Sequence, residues 1–322
     1  MLTWKSVTKD SYPEYLQAIK SEGKGRIGVL VQSLLDNSRY MPNVVMFMHV
    51  NFSPLIASMR FSRSTRFVTL FYGREAWARL PWLRRTAALA SDRIWSISRY
   101  TSEQLSIVNG VPPQKIRHFR LGLNEGHYRA LTSEVARRKA GLNVLTVSRL
   151  VERSKGLEDL VRAWQQVVAR FPAARLRIVG DGPARSSLQA LVRELGISSA
   201  VALSGTVNDS ELVSAYGDAD LFVLPSAQEG FGLVFLEAMA AGLPVIAADS
   251  GASPELVQDG VTGRLVRFGD TSGISDAICD LLGRPGLRTK LGDQAAERVK
   301  SDFTMPVVTR KMAELLEDAM RG

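Results

Sequence analysis

From Asn143 onward the sequence alternates between short apolar segments and helical patterns, and this alternation restricts the fold more than any other feature. The apolar segments are rich in β-branched residues and read NVLTVS, RLRIVG, VALSG, DLFVLP and PVIAA. Segments such as LEDLVRAWQQVVAR separate them and carry apolar residues at helical spacing. Strands and helices in this order predict βαβ units and a parallel sheet. Because some of the strands are apolar throughout, we expect helices on both faces of that sheet.

The first half of the chain shows a weaker form of the same pattern. Strands are predicted at PNVVMFMHV, TRFVTLFYG and SDRIWSIS, followed by a helix at RYTSEQLSIV that ends at Gly110. QKIRHFRLG then leads toward the second half, so three or four strands are predicted in all. A length of 322 residues is typical of two domains. We predict an α/β chain with domains at 1–140 and 141–302, joined by a linker around 131–143.

Positive charge is concentrated in the first of these domains. Residues 1–140 hold 22 Lys and Arg against 9 Asp and Glu, whereas residues 141–322 hold 19 against 23. The segment 60–99 contains nine arginines and three tryptophans. This mixture suits a contact with an anionic membrane surface, and the alternative is a solvated basic face with buried tryptophans. Nucleic acid could use the same charges, but no nucleic-acid-binding motif is present, so we expect no such partner.

Several features indicate the compartment. The single cysteine, Cys279, allows no disulfide within the chain, so a reducing compartment is the default. We expect no secretory signal, because the N-terminus has no apolar segment after a basic start. The apolar stretch 231–248 is broken at Gly242, Leu243 and Pro244, which predicts a helix and a strand rather than a membrane span. We therefore predict a cytoplasmic protein, with a peripheral position on the inner face of the membrane.

Ligands of doubly wound sheets bind beyond the carboxyl ends of the strands, so the residues that follow each strand are the candidates for chemistry. Arg149 and Lys155 follow NVLTVS and flank the start of a helix, where a diphosphate would find positive charge and N–H donors. Two solvated loop cations are the alternative. Gly180, Asp181 and Gly182 follow RLRIV, where glycines permit a tight turn next to a ligand.

The loop after DLFVLP carries the next candidates. Glu229 can accept bonds from two sugar hydroxyls, and Gly230 and Gly232 expose N–H groups near a helix start. Glu237 stands in the otherwise apolar helix LVFLEAMAA, where an unpaired charge would be costly to bury. It must therefore reach a ligand hydroxyl or an internal cation, and we favour the ligand.

These motifs together resemble the retaining glycosyltransferases of family 4, the "glycosyl transferases group 1" type, which have the GT-B fold. The run PSAQEGFGLVFLEAMAAGLPVIAAD resembles their donor-site signature, with seven residues between Glu229 and Glu237. SRLVERSKG resembles their diphosphate-contacting segment, and GDGP and GTV follow in the expected order. FTMPVVTRKMAELL resembles a last helix that crosses back to the first domain, which implies a separate segment at 303–322. The resemblance is close over 142–318 and loose over 43–130.

The resemblance implies two Rossmann-like domains that face a cleft, with a UDP- or GDP-linked sugar bound between them. Arg149 and Lys155 would neutralise the diphosphate, and Glu229 would hold the donor sugar. The remaining implied donor contacts come from the backbone of Val207 to the nucleobase, from Glu237 to the ribose, and from the loop residues Gly230, Phe231, Gly232 and Leu233. The departing phosphate is the implied base, so no carboxylate need act as a nucleophile. His118 and His127 are too scattered for a metal site, and we expect no metal and no cofactor.

The implied activity is retaining transfer of a hexosyl unit to a glycan or a lipid-linked acceptor, in surface polysaccharide or glycolipid synthesis. The alternative is a truncated relative that binds the nucleotide sugar without turnover alone. Relatives usually open with a strand and a glycine-rich loop, and MLTWKSV shows neither, so we predict a shortened first domain. Relatives also often carry a histidine where Tyr72 precedes Gly73. These two residues, with His49 at the end of another strand, are the candidates for the acceptor side.

Overall fold

The computed structural model describes residues 42–59, 65–135, 141–151 and 153–321. Within these ranges the chain is α/β and contains two parallel sheets, one in each half. The prediction that the opening strand and glycine-rich loop are missing concerns residues before Pro42, so it lies outside the described residues. The described residues therefore show the strands and helices from Pro42 onward.

The first sheet has four parallel strands in the order β1-β2-β3-β4. Its strands are β1 (Val44–Phe47), β2 (Arg66–Phe71), β3 (Arg93–Ser96) and β4 (Ile116–His118). The first three fall within the segments predicted as strands, and β4 lies in QKIRHFRLG, where the sequence leaves a fourth strand open. The central strands are almost completely buried, as expected for a parallel sheet that is covered on both faces.

Short and medium helices connect these strands. A 3-10 turn at Val50–Leu55 leads into α1, and the other connections are α2 and α3. The bounds are α1 (Ile56–Met59), α2 (Trp82–Ala90) and α3 (Arg99–Asn109). Helix α3 begins at Ser98, whose hydroxyl accepts the Thr101 N–H, and ends at Gly110 with a φ of 67°. The sequence predicts this end because only glycine adopts such a φ at little cost.

The second sheet has six parallel strands in the order β10-β9-β8-β5-β6-β7. Its strands are β5 (Asn143–Val147), β6 (Arg175–Val179), β7 (Val201–Gly205), β8 (Leu221–Leu224), β9 (Val245–Ala248) and β10 (Gly263–Val266). Strand β5 lies between β6 and β8, so the direction of winding reverses between β5 and β8. A crevice opens at such a reversal, beyond the carboxyl ends of the strands.

The remaining helices of the described residues precede, connect or follow the strands of this sheet. They are α4 (Glu125–Val135), α5 (Leu157–Arg170), α6 (Arg185–Glu194), α7 (Asp209–Asp218), α8 (Leu233–Ala240), α9 (Ser253–Leu256), α10 (Thr271–Gly283), α11 (Pro285–Asp302) and α12 (Met305–Arg321). The stretch 231–248 folds as α8 and β9, separated by Gly242 with a φ of 68°. None of the helices in the described ranges is long and apolar enough to span a bilayer.

Contacts between the two halves hold them over a common cleft. Helix α12 lies against β1 and β2, and its Asp318 carboxylate accepts bonds from Arg93 at 3.1 Å and Arg117 at 3.0 Å. The Glu255 carboxylate of α9 accepts the N–H groups of Arg99 and Tyr100 at the start of α3. Each contact joins a residue of the first half of the chain to a helix of the second half.

Helix α4 packs against α7 and α8 of the second half. The linker predicted around 131–143 therefore begins inside a helix, because residues 131–135 complete the last turns of α4. Residues 136–140 lie outside the described residues. The division of the chain after residue 140, with a final segment from 303, stays a prediction.

Candidate functional site

A cavity of about 200 Å³ opens where β5 and β8 end, at the reversal of the second sheet. Its charged lining residues are Arg74, Arg149, Lys155 and Glu229, and its floor includes the first residues of α8. The three residues predicted to be catalytic, Arg149, Lys155 and Glu229, are therefore brought together, although Arg149 and Glu229 are 80 positions apart in the sequence. The reason is topological, because the loops after β5 and β8 must meet at one edge of a parallel sheet.

Lys155 and Glu229 form an ion pair in the cavity. The Lys155 ammonium donates to the Glu229 carboxylate, and the two side chains are 19% and 12% exposed. An ammonium has three N–H donors, so Lys155 can keep this bond and still donate to a phosphate oxygen. The sequence indicates both residues but gives no sign of the pair, since 73 residues lie between them.

Two bonds and one glycine bring the loop that carries Lys155 against the loop that carries Glu229. The Ser154 carbonyl accepts the Ala227 N–H at 2.9 Å and the Ser226 hydroxyl at 3.1 Å. Gly156 adopts a φ of 66°, and a Cβ placed on it would lie 2.2 Å from the Pro225 carbonyl oxygen. Only glycine permits this approach, so Gly156 sets the position of its neighbour Lys155.

The glycines after β6 support the Arg149 loop. A Cβ on Gly180 would lie 1.8 Å from the Ser148 carbonyl oxygen, and one on Gly182 would lie 2.3 Å from the Leu150 oxygen. The Asp181 carbonyl also accepts the Leu150 N–H at 2.9 Å. The close approach that these glycines allow is thus to the backbone on either side of Arg149. A direct contact of Gly180, Asp181 or Gly182 with the donor stays a prediction.

The start of α8 supplies the N–H donors predicted for the site. Gly232, Leu233 and Val234 line the cavity, and the first N–H groups of an α-helix have no partner within the helix. Gly232 has a φ of 96° and accepts the Phe235 N–H at its carbonyl oxygen. The Phe231 side chain is buried and packs edge-to-face on Phe303, with ring centroids 6.1 Å apart. Its side chain thus serves the packing, which leaves its backbone for the predicted donor contact.

Glu237 has two internal partners. The Tyr216 hydroxyl donates to Oε2 at 2.8 Å, and His127 Nε2 lies 3.3 Å from Oε1 as an ion pair. The Glu237 carboxylate raises the pKa of His127 by hydrogen bonding, against the opposing effect of burial. Burial, together with the same carboxylate, raises the pKa of Tyr216 well above its ordinary value.

The partners of Glu237 bear on the two alternatives that the sequence leaves for it, a ligand hydroxyl or an internal cation, of which the ligand is favoured. His127, which is a cation when protonated, lies beside this carboxylate. The sequence carried no signal for it, because α4 and α8 are far apart in the chain and meet only in the fold. Contact of Glu237 with the donor ribose stays a prediction, as does contact of the half-buried Val207 with the nucleobase.

The acceptor-side candidates lie together beside the donor loop. The rings of His49 and Tyr72 are stacked with centroids 6.4 Å apart and planes at 19°. A Cβ on Gly230 would lie 2.5 Å from the Tyr72 carbonyl oxygen, so the two loops touch. His49 Nδ1 accepts the Asn51 N–H at 3.1 Å, which places the proton of the neutral ring on Nε2. Burial raises the pKa of the Tyr72 phenol, with a smaller contribution from Glu75.

The fold places some residues of the basic segment 60–99 in the core and others at the surface. Trp95 is fully buried and Trp77 is half-buried, whereas Trp82 is 77% exposed beside Leu83, which is 50% exposed. Trp95 is thus a core tryptophan, as one of the two alternatives has it, whereas Trp82 is exposed. Contact of this segment with a membrane stays a prediction. Arg60 and Arg63 lie outside the described residues.

Two Rossmann-like units that face a cleft, with cations and a helix start at the exits of strands β5 and β8, define a GT-B enzyme that binds an anionic donor. Residues 132–298 match the family model described as "Glycosyl transferases group 1", and the chain belongs to this family. The predicted family and the GT-B fold are therefore confirmed. The protein is a glycosyltransferase that uses nucleotide sugars.

Named relatives agree with this assignment. The chain is 32% identical over 268 residues to a GDP-mannose-dependent alpha-(1-6)-phosphatidylinositol monomannoside mannosyltransferase of Mycolicibacterium smegmatis, covering 78% of this chain and 70% of that protein. A glycosyltransferase from Rickettsia africae superposes with a TM-score of 0.78 at 18% identity, covering 94% and 84% of the two chains. HepE from Anabaena, solved in complex with UDP, superposes with a TM-score of 0.76 at 19% identity, covering 91% and 83%. At these identities the two structures show the fold alone.

Proposed function

We propose that this glycosyltransferase transfers a mannosyl unit from GDP-mannose to a lipid-linked glycan acceptor, with the anomeric configuration retained. The observation that carries the proposal is the cavity at the exits of β5 and β8, where cations, a carboxylate and a helix start surround one space. GDP-mannose is favoured over a UDP-sugar because the relatives that share about a third of their residues over most of the chain are named for it. HepE, solved with UDP, is 19% identical, so it supports the fold and does not indicate which nucleobase the donor of this chain carries.

The electrostatics of the cavity suit a diphosphate. Arg149 carries a positive charge at the exit of β5, and the α8 start offers N–H groups and the positive end of the helix dipole. Lys155 adds further N–H donors beside them. These groups can neutralise the negative charge that develops on the departing nucleotide. Since the protein supplies this charge, we also propose that transfer does not depend on a metal ion.

The position of Glu229 supports our proposals that it binds the donor sugar and that transfer retains the anomeric configuration. It is the one carboxylate among the described residues that line the cavity, whereas hydrolytic retention through a glycosyl-enzyme needs two carboxylates about 5 Å apart. Its ion pair with Lys155 holds the residue that we propose for the sugar next to a residue that we propose for the phosphate. The donor phosphate then remains as the base for an acceptor that attacks from the side of the departing nucleotide.

A lipid-linked acceptor fits the exposed apolar residues of the first domain. Trp82 and Leu83 begin α2 with largely exposed side chains, and Arg79 and Arg84 are exposed on either side of them. Aromatic residues and arginines together favour the interface of an anionic membrane. We therefore propose a peripheral position on the membrane. Trp82→Ala should reduce sedimentation with anionic phosphatidylglycerol vesicles, and equal sedimentation of both proteins would remove this surface from the proposal.

Transfer can be tested directly with GDP-mannose, UDP-glucose and a membrane extract that contains lipid-linked glycans. We expect incorporation of mannose into the lipid fraction, an α-anomeric product by NMR, and the same rate in the presence of EDTA. A β-anomeric product would contradict retention. Tight binding of GDP-mannose without incorporation would support the alternative of a nucleotide-sugar-binding relative that does not turn over alone.

A further inference from the structure

Arg74 lines the same cavity as Arg149 and Lys155, but it belongs to the other half of the chain. It follows Tyr72 and Gly73 directly after β2 ends at Phe71. Tyr72 and Gly73 are acceptor-side candidates by sequence, and Arg74 is not among the candidates. The rule that identified Arg149, a cation at the exit of a parallel strand, applies equally to Arg74.

Two glycines bring the Arg74 loop against the donor loop. A Cβ on Gly73 would lie 2.9 Å from the Gly230 Cα atom, and one on Gly230 would lie 2.5 Å from the Tyr72 carbonyl oxygen. Gly73 also has a φ of 132°, which favours glycine. The backbones of the two halves are thus in contact at this point, one residue away from both Arg74 and Glu229.

The turn that carries Arg74 is held by several bonds. The Tyr72 N–H donates to the Glu75 carboxylate, and the Ala76 N–H donates to the Gly73 carbonyl at 2.7 Å. The Asn109 side-chain amide donates to the Ala76 carbonyl at 2.9 Å. The carboxylate nearest in sequence to Arg74 is therefore engaged with backbone, and the bonds that hold the turn come from within the chain.

Among the described residues that line the cavity, positive charge is in excess. Lys155 and Glu229 neutralise one another, which leaves the positive charges of Arg74 and Arg149. Within the described ranges neither arginine side chain forms an ion pair or a side-chain hydrogen bond. The diphosphate of a nucleotide sugar carries roughly two negative charges, and the sugar-linked phosphate gains more as the nucleotide departs. The two unpaired arginines match this charge.

We propose that Arg74 is a catalytic residue that binds the sugar-linked phosphate of the donor from the first domain. Its guanidinium neutralises the charge that develops on this phosphate as the bond to the sugar breaks and the electron pair stays on the phosphate oxygen. The diphosphate would then be held by Arg149 from one half and by Arg74 from the other. This inference rests on the donor-binding role proposed above for the cavity.

The test compares Arg74→Gln with Arg79→Gln, because Arg79 is exposed in the same loop and is not among the residues that line the cavity. Calorimetry measures the binding of GDP and of GMP, which lacks the second phosphate. We expect Arg74→Gln to weaken GDP binding about tenfold or more and to leave GMP binding unchanged, as the loss of one charge-assisted bond predicts. Arg79→Gln should bind both nucleotides like the parent protein.

Three outcomes would overturn the inference. Unchanged GDP affinity in Arg74→Gln would show that Arg74 does not bind the phosphate. If the KM for the acceptor rises in that case, Arg74 binds an anionic group of the acceptor instead. Equal loss of GDP and GMP affinity would indicate general distortion of the cleft. If the parent protein binds no nucleotide while correctly folded, the proposed function fails as well, so the two failures are distinguishable.

Discussion

Gly156 offers the sharpest test of how the fold positions Lys155. In Gly156→Ala the residue would keep a φ of 66°, which costs a non-glycine residue about 1–2 kcal/mol. The new Cβ would also stand 2.2 Å from the Pro225 carbonyl oxygen, and such contacts do not occur below 3.0 Å. The loops that carry Lys155 and Pro225 must therefore move apart by at least the difference between these two distances. Overpacking of this kind costs a further ~1–3 kcal/mol.

Gly196→Ala is a matched control for the conformational cost. Gly196 has a φ of 68°, and a Cβ placed on it meets no atom within 4 Å. Both variants carry the same backbone penalty, so the difference in their unfolding free energies isolates the contact with Pro225. Chemical denaturation gives these free energies, and titration with GDP reports whether Lys155 has moved.

We expect Gly156→Ala to be less stable than Gly196→Ala by ~1–3 kcal/mol and to bind GDP more weakly. Gly196→Ala should bind GDP like the parent protein. Equal destabilisation of the two variants, with unchanged GDP binding in both, would refute the role of Gly156 in positioning Lys155.

Three further changes test the neighbouring contacts. Glu229→Gln should lower transfer about 10–100-fold, as the loss of a charge-assisted bond to the sugar predicts, while GDP affinity is kept; equal losses would assign Glu229 another role. His127 has a raised pKa in the fold, so its pair with Glu237 stabilises the protein fully below the ordinary value of 6.5, and this contribution is lost as pH rises through the raised pKa. His127→Gln should therefore destabilise the protein at about pH 6 and have little effect at about pH 9, and the opposite order in thermal unfolding would refute the pair. Asp318→Asn should cost up to about 1 kcal/mol at low salt and less at high salt, because its two arginine pairs are partly exposed; no change in denaturant midpoint would show that α12 is held by apolar contacts alone.

The second domain could be predicted from sequence because its strands are apolar runs between glycine-rich turns. Segments such as DLFVLP and PVIAA became β8 and β9, and the turn at Gly242 came where the sequence places it. The exits of β5 and β8 could be predicted to carry chemistry, since the position of a ligand follows from parallel topology.

The first domain was harder to predict, for physical reasons that particular elements show. Helix α2 exposes Trp82 and Leu83 and buries Ala87 and Ala88, so its largest apolar residues do not mark its buried face. Helix α4 packs on the second half of the chain, and periodicity cannot reveal which sheet a helix will choose.

Pairs between distant residues lay beyond the sequence altogether. Nothing in the chain indicates that Lys155 would bind Glu229 or that His127 would meet Glu237, because both pairs depend on the relative placement of loops and helices. Arg74 is a different case. It stands at a strand exit and could have been identified by the same rule as Arg149.

The binding of GDP and UDP to the purified chain, measured by calorimetry with Lys155→Ala as the control, tests the donor site most directly. We expect GDP to bind more tightly than UDP, and Lys155→Ala to weaken GDP binding by about 1.5–3 kcal/mol through loss of a charge-assisted bond. Failure of the folded protein to bind either nucleotide, or GDP binding that is unchanged in Lys155→Ala, would contradict the assignment of this cavity as the donor site.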